Sequence, residues 1–299
     1  MMGRTWRDDD GGDSPVTTAF VLGGGGILGA SEVGMLRALA EADIWPDLVV
    51  GTSVGALNGV FVAADPATAA ARLSQLWQGE SLRRAFSETV WGRAARLARS
   101  GTHLHSIEPL RQMLSDALPA TDFADLRLPL HCVAASIEHA SARWFSSGPL
   151  TAAVLASCAV PGLLPPVEID GEHFFDGGLV DSIPVGRAIG LGATTIYVLH
   201  VGRIENPLTV PRRPWEVGLV AFEIARRHRF LEEMSALPDG VRVYVLPAGG
   251  PRQTPDLSQL RYRDRTRVSV TMERAHAASA RYLAELPEPD QTGRRPGPP

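Results

Sequence analysis

Twice in the first 60 residues a short apolar run gives way to a glycine-bearing turn and then to a helical pattern. The first run is Ala19-Phe20-Val21-Leu22, followed by Gly23-Gly24-Gly25-Gly26-Ile27-Leu28-Gly29. The second is Leu48-Val49-Val50, followed by Gly51-Thr52-Ser53-Val54-Gly55. An apolar run of this length that alternates with helices reads as a strand buried on both faces of an open sheet. The repeat therefore restricts the chain to an α/β architecture. It also puts both turns at the carboxyl ends of strands, where such sheets bind their ligands.

The two turns offer different chemistry. A glycine-rich segment that opens a helix presents backbone N–H groups to negative charge. A serine on a sharp strand-to-helix turn has its hydroxyl pushed outward, as a nucleophile requires, and Gly51 and Gly55 keep side chains out of the crowded corner. In a chain with 30 glycines neither pattern is specific by itself. The setting adds weight, because one helix and one strand separate the turns and a third element is present. Phe174-Phe175-Asp176-Gly177-Gly178 places a carboxylate between a strand-like run and a glycine turn.

Together these residues resemble the patatin-like phospholipases. That family's pattern is a G-G-G-x-x-G loop, a G-x-S-x-G turn and a D-G-G or D-G-A aspartate, matched here by Gly24 to Gly29, Gly51 to Gly55 and Asp176 to Gly178. The likeness continues through Gly34 and Leu36, Ala156 to Pro161, Pro165-Pro166 and Pro184, and so covers about residues 18 to 190. It departs at Leu28, where many members carry Arg or Lys, and at Asp181, where many carry Asn.

The resemblance implies an α/β three-layer sandwich with a central, mostly parallel sheet. It implies a lipid acyl-ester hydrolase of the phospholipase A or lysophospholipase type, with Ser53 as nucleophile and Asp176 taking its proton directly. Gly24, Gly25, Gly26 and Ile27 then form the oxyanion hole, while Gly29, Gly51, Gly55, Gly177 and Gly178 support the turns. The expected partner is a lipid ester. No cofactor and no metal is implied.

Read without the resemblance, the residues leave other arrangements open. Ser53, Asp176 and His200, which ends the strand-like run from Thr194, follow the chain order of an α/β-hydrolase triad. Against a triad, the nucleophile turn comes after only the second strand. Gly24-x-Gly26-x-x-Gly29 also fits a dinucleotide fingerprint, but the second strand ends in Gly51-Thr52-Ser53 instead of the acidic residue that would hold a ribose. A non-catalytic lipid-binding or regulatory protein on the same fold is the third alternative, and the intact serine and aspartate argue for retained chemistry. His103, His105, His131, His139, His173, His228 and His276 show no ligand spacing and read as surface or core residues.

Composition sets the remaining bounds. The 299 residues, 44% of them apolar, can sustain one large α/β domain. We expect a disordered head over 1–17, a catalytic core over 18–190, a continuation of the same domain over 191–286, and a disordered proline- and glycine-rich tail over 287–299. A net charge of −4 argues against a nucleic-acid binder, which needs a concentrated basic face. Cys132 and Cys158 read as reduced, buried thiols, and no zinc spacing occurs. Met1 to Pro15 lacks an apolar core and no run is long enough to span a bilayer, so the expectation is a cytoplasmic protein that touches membranes reversibly. The arginines of Trp91 to Arg99 recur every third residue, as on a solvated or interfacial helix face. The oligomeric state is left open.

Overall fold

The computed structural model describes residues 17–80, 82, 99–201, 208, 210–212, 214–249 and 265–286. Its strands are β1 (Thr18–Leu22), β2 (Leu48–Thr52), β3 (Leu130–Ser136), β4 (Ser141–Phe145), β5 (Val167–Ile169), β6 (Glu172–Asp176), β7 (Thr195–Leu199) and β8 (Arg242–Leu246). The helices are α1 (Ala30–Glu41), α2 (Val54–Ala64), α3 (Pro66–Gln78), α4 (Glu108–Ala117), α5 (Leu150–Ser157), α6 (Val185–Gly190), α7 (Pro214–Ser235) and α8 (Arg265–Glu285). Strands β3, β2, β1, β7 and β8 lie side by side and parallel. The short β4, β5 and β6 add antiparallel pairings around β3.

Successive strand residues point to opposite faces, and here both faces are apolar. Phe20, Leu22, Val49 and Leu199 pack with Leu36 of α1, Leu73 of α3 and Met272 of α8. Ala19, Val21, Val50 and Val198 pack with Val185 of α6 and Phe230 of α7 on the other side. The two cores make three layers, as expected. Local signals explain the boundaries: Asp65 is extended and Pro66 occupies the first turn of α3, so α2 cannot run on. At the expected Asp170-Gly171 turn both residues have positive φ, 52° and 81°, which is the hairpin geometry that joins β5 to β6.

Pairing around β3 positions the site. Strand β4 pairs with residues 132–136 of β3, overlapping the stretches used by β2 (130–133) and by β6 (134–136). A strand has two edges, so β2 and β6 must share the edge that β4 leaves. Thr52 of β2 lies beside Val133 and Asp176 of β6 beside Ala134, one residue further on. The two strands therefore meet tip to tip, and Ser53, the residue after Thr52, faces Asp176.

No helix among the described residues is long and apolar enough to cross a membrane. The expected head but for Thr17, the expected tail, and the arginine-bearing stretch from Trp91 but for Arg99 lie outside the described residues.

Candidate active site

Ser53 is the hinge between β2 and α2, and its backbone has φ 55° and ψ −122°, a conformation that residues with a Cβ rarely adopt. The corner holds because backbones crowd around it. A Cβ on Gly51 would collide with the Gly55 carbonyl, and one on Gly55 would overlap the Leu22 carbonyl of β1. Two side-chain hydrogen bonds pin the turn: the Ser53 N–H donates to Ser157 Oγ at 2.8 Å, and Thr52 Oγ1 donates to the Asp181 carbonyl at 2.8 Å.

The Ser53 hydroxyl donates to Asp176 Oδ2 at 2.6 Å, and the other oxygen, Oδ1, accepts from the Gly178 N–H at 2.7 Å. No imidazole stands between serine and carboxylate. Asp176 is almost fully buried. Burial pushes its carboxyl up to about 6, against the opposing pull of the Ser53 hydroxyl, the Gly178 N–H and the more distant Arg226. At neutral pH it is thus mostly ionised and more basic than an exposed aspartate. Close approach is possible because Gly177 lies against the Val133 carbonyl, with no room for a side chain.

The glycine loop passes over this pair. Its first N–H groups are committed to the scaffold: Gly23 donates to the Leu199 carbonyl at 3.0 Å and Gly24 to the Ser182 carbonyl at 2.9 Å. Gly24 therefore departs from the expected donor set, because its N–H closes the loop onto the fold. Among the described residues, the N–H groups of Gly25 and Gly26 make no backbone hydrogen bond. Gly25 lies directly on Val201, and Gly26 turns the chain with φ 59°. Ile27 follows in a short 3-10 turn, and Gly29 packs on Val54 and Trp77.

Ser53 and Gly26 open onto a cleft whose walls include Val54, Leu57, Leu110, Val160 and Leu163. Cys158 and His105 are further wall residues. The His105 segment is laced to the opposite wall, with the His105 N–H donating to the Leu163 carbonyl at 2.8 Å. Ser157 falls within the Ala156 to Pro161 stretch singled out in the sequence, but only the fold reveals its contact with Ser53.

His200 has a different environment. It stacks on Phe230, and Arg226 approaches its Nδ1 at 3.4 Å. Burial, with Arg226 and Arg227 nearby, holds the imidazole well below its ordinary value, so it stays neutral. Burial likewise raises both thiols, Cys132 to about 12 and Cys158 well above the usual range, which makes them poor nucleophiles. Among the described residues there is no group of side chains suited to a metal ion.

A serine forced into a strained strand-to-helix corner and bonded to a buried carboxylate, at the carboxyl edge of a three-layer sheet, defines a class of α/β proteins with a serine–carboxylate pair. Within that class the chain belongs to the patatin-like phospholipase family, whose sequence pattern matches residues 20–189. It is 30% identical over 190 residues to lysophospholipase nte1 of Aspergillus terreus, an alignment that covers 64% of this chain and 12% of that protein. It is 33% identical over 191 residues to the patatin-like phospholipase domain-containing protein ZK370.4 of Caenorhabditis elegans, covering 62% of this chain and 14% of that one. The chain thus spans only a small part of these relatives' length. Among solved structures, VipD from Legionella pneumophila superposes with a TM-score of 0.46 at 15% identity, over 91% of this chain and 67% of that one.

Proposed function

We propose that this chain is a lipid acyl-ester hydrolase of the phospholipase A or lysophospholipase type, working through Ser53 and Asp176 as a dyad. The observation that carries the reading is the direct 2.6 Å hydrogen bond from the Ser53 hydroxyl to Asp176 Oδ2. Ser53 Oγ attacks the ester carbonyl carbon while its proton passes to Asp176. The negative charge developing on the carbonyl oxygen is met by the N–H groups of Gly25 and Gly26, with Ile27 as a third donor, and by the amino end of α2. As the tetrahedral intermediate collapses, Asp176 returns the proton to the departing alcohol and leaves an acyl-Ser53 ester. Water then attacks that ester, with Asp176 accepting its proton, and as the second tetrahedral intermediate collapses Asp176 returns that proton to Ser53 Oγ, which releases the acid and restores the serine.

The apolar cleft suits an acyl chain, and the family's lysophospholipases point to the same substrate class. Long-chain esters reside in membranes and micelles, so we further propose that the substrate is taken from such a surface by reversible contact. We also propose that 191–286 continues the domain of 18–190. In support, β7 pairs with β1 and α8 packs along α1.

Intact mass after treatment with a long-chain fluorophosphonate in lipid micelles tests the reading. A single adduct, absent from Ser53→Ala, is expected. A folded protein that takes no adduct would overturn it in favour of a lipid-binding role.

A further inference from the structure

Beneath the glycine loop lies a buried polar cluster that takes no part in the proton transfers between Ser53 and Asp176. Asn58 stands on α2, five residues after Ser53, and is fully buried, as is Glu32 in the first turn of α1. Trp77 of α3 is nearly so. An indole N–H can only donate, so the 3.0 Å bond from Trp77 Nε1 fixes which end of the Asn58 amide is oxygen. The amide nitrogen then faces two acceptors, the Gly29 carbonyl at 3.1 Å and Glu32 Oε2 at 2.7 Å. Every polar atom of the Asn58 side chain is thereby engaged.

These bonds hold the closing end of the loop, and the sheet holds its opening end. Gly29 closes the loop, and its carbonyl is held from α2 by Asn58. At the other end the Gly23 N–H is held by the Leu199 carbonyl of β7 at 3.0 Å. Glu32 itself is fully buried, and that burial pushes its carboxyl well above the usual carboxylate range. Gly25 and Gly26 lie between the two fixed ends.

We infer that Asn58, braced by Trp77 and Glu32, is a positioning residue that holds the glycine loop at a set distance from Ser53. The inference rests on the proposed roles of Ser53 and the loop. Stabilisation of an oxyanion demands donors within a few tenths of an ångström of 2.9 Å, and a 1 Å misplacement costs roughly a hundredfold in rate. Asn58 ties the nucleophile's helix directly to the loop, so it governs that spacing without touching substrate.

The test combines two measurements on the full chain. Amide hydrogen exchange by mass spectrometry follows the peptide covering the glycine loop, and hydrolysis of p-nitrophenyl butyrate gives kcat and KM separately. Asn58→Ala and Trp77→Phe are expected to speed exchange in the loop peptide by about tenfold or more. They should also lower kcat by roughly ten- to a hundredfold while KM moves less than about twofold. Glu32→Gln, which keeps a neutral acceptor for the Asn58 amide, should recover most of what Glu32→Ala loses. Unchanged loop exchange in folded variants overturns the inference, as does a loss confined to KM. If Asn58→Ala does not fold, Trp77→Phe, which keeps an aromatic ring and removes the donor, decides. A wild-type protein inert towards the ester would sink the hydrolase reading, and the exchange data would then decide the strut by themselves.

Discussion

At the scale of single residues, Ser53 and Asp176 both hold high-energy states that the surrounding fold enforces. Ser53 keeps a side chain at φ 55°, a conformation that glycine adopts freely and that costs other residues about 1–3 kcal/mol. Ser53→Gly and Ser53→Ala should both abolish turnover, and Ser53→Gly should be the more stable of the two by about 1–2 kcal/mol in urea unfolding. For Asp176 the strain is electrostatic. Its folded value of about 6 lies above the ordinary 3.8. Its contribution to stability is therefore full below about pH 4 and is lost as the pH rises through about 6. Catalysis has the opposite requirement, because the base must be ionised, so kcat/KM should climb with pH and level off above about 6. Asp176→Asn should remove activity at every pH. At pH 8 the variant should be more stable than wild type by roughly 1–3 kcal/mol, the cost of ionising a buried carboxyl less any hydrogen-bond strength the amide gives up.

At the scale of elements, the strand-turn-helix units were legible in the sequence because each carries its own local signal. The runs before Gly23 and Gly51, the Asp65-Pro66 break and the Asp170-Gly171 hairpin turn all appear where the residues placed them. The unforeseen contacts are those made between distant elements. That Ser157 would receive the Ser53 N–H, or that Asn58 would reach back to Gly29, depends on how α5 and α1 lie against α2, and neither residue stands in a motif that announces it. The Gly24 N–H was misassigned for the same reason, since its acceptor, Ser182, lies 158 positions away in the chain. Asp181, a position where the resemblance expects Asn more often, can now be read physically. Its backbone supports the aspartate turn by donating to the Gly177 carbonyl at 2.8 Å, while its side chain is buried with Arg229 at 3.5 Å. Burial and Glu233 raise the carboxyl to about 7 against the pull of Arg229. Stability from this group is therefore lost as the pH rises from about 4 through 7. Asp181→Asn should flatten that part of the stability–pH curve and leave the Thr52 hydroxyl bond, which goes to the backbone carbonyl, in place.

At the scale of the whole molecule, the family pattern ends at residue 189, but the loop it contains is built against residues beyond that point. The Gly23 N–H bonds to the Leu199 carbonyl, Gly25 rests on Val201, and β7 supplies the parallel neighbour along the full length of β1. The contact between α1 and α8 depends on Gly34, where a Cβ would overlap the Met272 carbonyl, so two helix backbones meet with no side chain between them. A chain cut after residue 190 would expose one edge of β1 and the apolar face of α1, and would leave the Gly23 N–H without its acceptor. Such a fragment has lost part of both cores, and it should unfold without a cooperative transition and bind hydrophobic dyes. The full chain carrying Gly34→Ala separates the packing contribution from the pairing one. It keeps β7 beside β1 and forces only α1 and α8 apart, so it should still unfold cooperatively, with a loss of about 1–3 kcal/mol. Urea unfolding followed by circular dichroism distinguishes these outcomes. A cooperative, native-like 17–190 fragment would show that the later strands are an addition to a complete core, and the continuity of 18–190 with 191–286 as one domain would have to be abandoned.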